Sequence, residues 1–257
     1  MRSLSSATPE IEPEESTMND KTEAVRAVRE RMAQAAEHSG RRAADVELVA
    51  VSKGKPVEEL NAAYVAGVRH FGENRSAELA EKATALAHLP DLQWHFIGHL
   101  QSRQVQDVAR HAHCFHAVDR IKIAERMQQA LEEEGRELAV YLQVNVSGEE
   151  SKGGFECDAW PEEPAQLTAF FDAVRAIAAM PRLQVLGLMT MAPYNATENA
   201  LRTVFSRLHS LSERLDAELP GLDARGLSMG MSGDFEIAIE EGSTLVRVGS
   251  AIFGARG

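Results

Sequence analysis

Residues 46–73 read VELVAVSKGKPVEELNAAYVAGVRHFGE, and the rhythm of this stretch changes twice. Val46–Ser52 is a short, β-branched apolar run of the kind that forms a buried strand. Pro56 and Gly67 bracket Val57–Ala66, a helical pattern with a stop at each end. Val68–Phe71 then resumes the strand pattern. A strand, a helix and a second strand in immediate succession predict a parallel pair joined by a right-handed crossover.

The same alternation continues to the C-terminus. Gln93–Ile97, Cys114–Val118, Ala139–Val146, Leu183–Met189, Arg225–Met229 and Leu245–Val248 read as further strands. Helical patterns separate them, among them Ile121–Glu134 before Gly135 and Leu201–Leu219 before Pro220. Eight such units in about 210 residues predict an α/β fold of the (β/α)8 TIM-barrel type. A doubly wound open sheet is the alternative, and it is weakened because no G-x-G-x-x-G follows the first strand.

Ahead of the barrel, Val25, Val28 and Met32 share one helical face, with Asp20 and Glu23 at cap spacing and Gly40 at the stop, so an extra N-terminal helix is expected. Residues 1–20 carry five acids, two prolines and few large apolar side chains, and are expected to form a flexible acidic tail. Residues 21–257 are then one barrel domain. Met18 offers an alternative start. Ser147–Pro164, rich in Gly, Pro and acids, predicts a long loop at the barrel mouth.

Composition narrows the function classes. With 44% apolar and 26% charged residues the chain is neither collagen-like nor wholly disordered. Its net charge of −12 repels phosphate backbones, which argues against nucleic acid as a partner. The two cysteines form no paired motif, and no apolar run approaches the ~20 residues of a membrane span. A soluble, cytoplasmic protein is expected, with monomer as the default state.

In a barrel the site lies at the carboxyl ends of the strands. Lys53 ends the first. Gly72-Glu73-Asn74, Gly98, Asp119, Asn145 and Thr190 follow at later strand ends. SMGMSGD, residues 228–234, and RVGSAIFG, residues 247–254, place glycines and serines before short helical runs, where backbone N–H groups can approach an anion. Two such cradles after the seventh and eighth strands suggest a phosphorylated ligand, the alternative for either segment being a plain turn. Lys53, at the edge of a buried run, is either snorkelling or a nucleophile for an aldehyde. Lys55 reaches solvent or sits over anions at the rim. Arg247 lies inside an apolar strand and either aims at the mouth or forms a structural ion pair.

His111, His113, Cys114 and His116 tempt a metal assignment, but strand alternation splits them into two pairs on opposite faces, so no metal is expected. His95 reads as a barrel-lining or packing histidine with no acid near it in sequence, and Trp94 and Phe96 then face the helices.

Taken together, AVSKGKP, HFGENR, LQWHFIGHLQS, VNVSGEESKGGF, LGLMTM and LSMGMSGDFEIAIEEGSTLVRVGSAIFGAR resemble the pyridoxal phosphate homeostasis proteins, single-domain relatives of the alanine racemase barrel. The resemblance runs from about Lys21 to the C-terminus in one order. It implies a fold type III barrel with pyridoxal 5′-phosphate (PLP) held by Lys53 as a Schiff base. It implies that the phosphate sits on Ser228, Met231, Ser232, Gly249 and Ser250, that Asn74 lies by the ring, and that Arg247 faces the pyridine nitrogen. Ser250 stands where relatives often have threonine, which keeps the hydroxyl.

The function so implied is intracellular PLP homeostasis without robust catalysis, with apo PLP enzymes as recipients. A permanently charged arginine at the ring nitrogen makes a weak electron sink. A racemase-like enzyme is the alternative. It would need a second base, which none of Tyr64, Tyr141 and Tyr194 obviously supplies, and a β-rich second domain, which is not expected in a chain ending at Gly257. An aldolase using a cofactor-free lysine imine is a third class.

Overall fold

The computed structural model describes residues 15–149 and 152–255. Eight parallel strands close into a barrel: β1 Glu47–Val51, β2 His70–Glu73, β3 Gln93–Phe96, β4 Cys114–Val118, β5 Leu138–Asn145, β7 Leu183–Met189, β8 Gly226–Met231 and β9 Leu245–Val248. Each pairs with the next, β5 with β7, and β9 returns to β1, so no barrel edge is left unpaired. The helices α2 Val57–Val65, α3 Ser76–Ala85, α4 Val105–His111, α5 Ile121–Glu134, α6 Pro164–Ala178, α7 Glu198–Glu218, α8 Phe235–Glu240 and α9 Ser250–Phe253 follow the strands in turn. The (β/α)8 expectation holds, and the open sheet is excluded by closure.

Alternation along each strand explains the two cores. Phe71, Trp94, Phe96 and Phe115 are buried between strands and helices, with Phe96 and Phe115 ring centroids 5.7 Å apart. His95, on the opposite parity from Trp94 and Phe96, points into the barrel. The extra N-terminal helix is present as α1 Glu15–His38, packed on α2, α8 and α9 through buried Val25, Val28 and Met32.

Four expectations shift. Helix α1 begins at Glu15, inside the stretch expected to be a tail, and the Thr22 hydroxyl donates back to the Met18 carbonyl at 2.8 Å; residues 1–14 lie outside the described residues. β2 starts at His70 rather than Val68, because the Val68 N–H is spent on the Ala63 carbonyl in the turn that ends α2. α7 starts at Glu198, where the Thr197 hydroxyl accepts the Ala200 N–H. The 147–164 loop contains a two-residue strand, β6 Phe155–Glu156, in parallel register with Val144 and Asn145. Gly154 makes this possible: at φ +130°, a Cβ there would stand 2.7 Å from the Gln143 carbonyl.

Candidate functional site

Strand order sets which loops meet. Because β1 lies beside β9 and β9 beside β8, the turn carrying Lys53 is next to the turns after the seventh and eighth barrel strands. The contact is close: a Cβ on Gly249 would lie 3.2 Å from the Val51 carbonyl, two residues before Lys53. Lys53 is half-buried in the turn after β1.

That turn is clamped from behind by buried charge. Lys82 of α3 donates to the Ser52 carbonyl at 2.8 Å and to Glu73 Oε1 at 2.7 Å, while the Ser52 hydroxyl donates to the same oxygen at 2.6 Å. Lys82 also pairs with Glu78, whose Oε2 accepts the Gly54 N–H at 2.8 Å. Both residues flanking Lys53 are thereby held. Burial drives the Glu73 carboxyl above its ordinary range, only partly offset by Lys82 and Ser52. Sequence reading passed over Lys82; the Glu78–Lys82 spacing was its only local signal. Lys55 sits at the rim, donating to the Ala255 carbonyl at 3.3 Å, and a cleft of about 790 Å³ opens beside it between α2 and α3.

The anion cradle takes shape around Ser232. Its hydroxyl accepts the Gly249 N–H at 3.0 Å and the Ala251 N–H at 3.5 Å, so one oxygen already occupies a place where two backbone donors converge. Ser250 and Met231 are exposed beside it. The Met231 N–H donates to Asp234 at 2.5 Å, and burial raises the Asp234 pKa. Ser228 parts from this group. It is fully buried, and its hydroxyl is committed to His116 and Arg247 below the cradle.

Arg247 is buried without a carboxylate in ion-pair range among the described residues, so the structural ion pair weighed above is not what holds it. Its Nη1 donates to the Ser228 carbonyl and hydroxyl, both at 2.6 Å, and its Nη2 to the Thr190 carbonyl at 2.9 Å. Burial lowers its pKa to about 10, which still leaves it charged at neutral pH. Asn74 is exposed in the turn after β2, and this turn packs on β3's end so tightly that a Cβ on Gly98 would meet the Asn74 carbonyl at 2.3 Å.

Of the histidines set aside above, His113 accepts the Trp94 N–H at 2.9 Å, apart from Cys114 and His116, as the alternation required. The neighbouring strand adds what one strand could not show. His95, Cys114 and His116 bring ligand-type atoms within 4.8 Å of one another in the barrel interior. All four ring nitrogens of His95 and His116 are taken by hydrogen bonds, and burial pushes the Cys114 thiol up, so this trio is a polar core in its present state. No helix among the described residues is long and apolar enough to cross a membrane.

Comparison with known proteins shows the family. The family model for the alanine racemase N-terminal domain matches residues 24–257. The pyridoxal phosphate homeostasis protein of Pseudomonas aeruginosa is 44% identical over 239 residues, covering 93% of this chain and 97% of that protein. This chain belongs to the pyridoxal phosphate homeostasis protein family. Among solved structures, a protein of unknown function from Bifidobacterium adolescentis superposes with a TM-score of 0.83 at 34% identity, covering 96% of this chain and 99% of that one. PipY of Synechococcus elongatus with PLP bound gives 0.77 at 33% identity, covering 91% and 100%. A structure with PLP bound is therefore similar to this one over most of its length.

Proposed function

We propose that this protein binds PLP, with Lys53 Nζ joined to its aldehyde as a Schiff base, and serves PLP homeostasis in the cytoplasm. Met231, Ser232, Gly249 and Ser250 would hold the phosphate, Asn74 would stand beside the ring, and Arg247 would face the pyridine nitrogen. The observation that carries this reading is the juxtaposition of the Lys53 turn with the Ser232–Gly249–Ala251 donor cluster across adjacent strands. That donor set suits a phosphate, because two N–H groups there already point at one oxygen.

When bound, the cofactor supplies an electron-withdrawing ring. The chain's own residues restrain it. A guanidinium cannot accept a proton, so Arg247 can only donate to the ring nitrogen and opposes its protonation. Proton exchange between the two faces would need a second base. Tyr141 is buried in β5 against the His116 ring, Tyr64 is bonded to Asp91, and Tyr194 is 88% exposed. We therefore assign a carrier without robust turnover, releasing PLP to apo enzymes as a monomer.

The test is to load the protein with PLP, reduce with borohydride and map the modified peptide by mass. Attachment at Lys53, with loss of the yellow colour in Lys53→Ala, is the expected result. Attachment only at Lys55 or Lys82, or no reducible adduct, would overturn the assignment. Rapid Lys53-dependent exchange of the alanine α-proton in deuterated water would overturn the non-catalytic half alone.

A further inference from the structure

Six side chains form one unbroken hydrogen-bonded column through the barrel. Glu47, at the start of β1, meets His70 Nε2 at 2.6 Å. His70 Nδ1 lies 2.9 Å from His95 Nε2, and His95 Nδ1 lies 2.8 Å from His116 Nε2. His116 Nδ1 is 2.8 Å from the Ser228 hydroxyl, which accepts from Arg247 Nη1 at 2.6 Å. The lower end opens to solvent, since Glu47 and His70 line a cavity of about 400 Å³ at the barrel floor.

With one proton on each ring, the Glu47 end fixes the direction of every bond in the column. Arg247 can only donate, and an ionised Glu47 can only accept. Assigned from the Glu47 end, Ser228, which also accepts from Arg247, gives its proton to His116 Nδ1. His116 and His95 must then carry their protons on Nε2, each donating to the next ring, and His70 Nε2–H ends the chain on Glu47. With one proton on each ring, a single tautomer set satisfies all five contacts. Burial keeps the inner rings neutral, as this requires: it lowers His95 to about 3, and it holds His116 well below the ordinary range.

We propose that Glu47 and His70, at the opposite end of the barrel from Lys53, are positioning residues for the site: through His95 and His116 they fix the Ser228 hydroxyl against Arg247 and tune the group that Arg247 faces. This rests on the assignment of Arg247 to the cofactor's ring nitrogen. Other groups near the column are Cys114 and Tyr141 inside the barrel and His113 just ahead of β4. Arg29 and Arg69 share the floor cavity, both bonded to backbone carbonyls and Arg69 also to Asp91.

Two readouts separate the column from the cofactor. In the cofactor-free protein, nitrogen-15 histidine NMR should show His95 and His116 as Nε2–H tautomers, and Glu47→Gln, whose amide can both give and accept, should loosen that preference at His70 and His95. An Nδ1–H tautomer at His95 or His116 in the parent, or an unchanged variant spectrum, overturns the column. With PLP loaded, loss of the Glu47 charge should lower the pH midpoint of the imine absorption by about 0.5 unit, roughly a threefold change in acid constant. His95→Phe should abolish that difference, and His95→Gln should restore part of it. An unmoved midpoint in Glu47→Gln overturns the coupling even if the tautomers are as expected. A protein that takes no PLP refutes the binding assignment, and the NMR result still decides the column.

Discussion

Lys82 Nζ lies 2.8 Å from the carbonyl oxygen of Ser52, the residue immediately before Lys53. Because the same ammonium is buried against Glu73, it joins α3 to the turn that carries Lys53. Lys82→Met would leave the Glu73 carboxylate buried and unpaired, at a cost of about 3–5 kcal/mol. Adding Glu73→Gln should recover most of that in denaturant unfolding. PLP loading should stay slow in the double variant, because the Ser52 carbonyl remains unanchored.

Ser232→Ala removes one hydroxyl from the donor cluster while leaving the Lys53 turn alone. The Gly249 N–H loses its acceptor in the cofactor-free state, and the phosphate would lose one donor. PLP affinity should fall about tenfold, near 1.4 kcal/mol. Fluorescence titration measures this, and borohydride trapping at Lys53 should survive at saturating PLP.

Gly154 sits at φ +130° with the Gln143 carbonyl where a Cβ would go. Gly154→Ala should therefore detach β6 from β5 at a local cost of about 1–3 kcal/mol. Amide exchange at Cys157 reports it directly, since this N–H bonds the Asn145 carbonyl at 3.0 Å. Faster exchange at Cys157 with unchanged exchange in β1 is the expected pattern.

Acid should destabilise the fold through the two buried rings. His95 and His116 have folded pKa values depressed by burial, His95 to about 3. The unfolded chain protonates both near pH 6.5, so the stability they contribute is present above that pH and is lost as pH falls toward the folded values. The pair should remove about 3 kcal/mol per pH unit below about pH 6. Urea unfolding at about pH 7 and about pH 5 measures the slope, and His95→Gln should halve it.

The barrel was legible because each strand and helix carries its own signal. Val46–Ser52 between polar flanks, Pro56 and Gly67 around one helix, and Gly135 after another fix period and punctuation locally. The missed boundaries are those decided by a hydrogen bond elsewhere: Val68 is claimed by the end of α2, and Thr197 caps α7 three residues before its first apolar position. β6 was invisible because a two-residue strand has no period of its own and exists only where Val144 and Asn145 are free to pair with it.

The candidate site divides the same way. Lys53, Arg247 and the glycine–serine segments were readable from their positions at strand ends, and alternation alone kept His113 apart from His116. Closure of the barrel decided the rest. Parity says which face a side chain occupies, but the stagger between strands determines which inward residues from β1, β2, β3, β4, β8 and β9 touch. Only that stagger could string Glu47, His70, His95, His116, Ser228 and Arg247 into contact and bury Lys82 under the turn at Lys53, since these contacts link residues as far apart in the chain as 116 and 228.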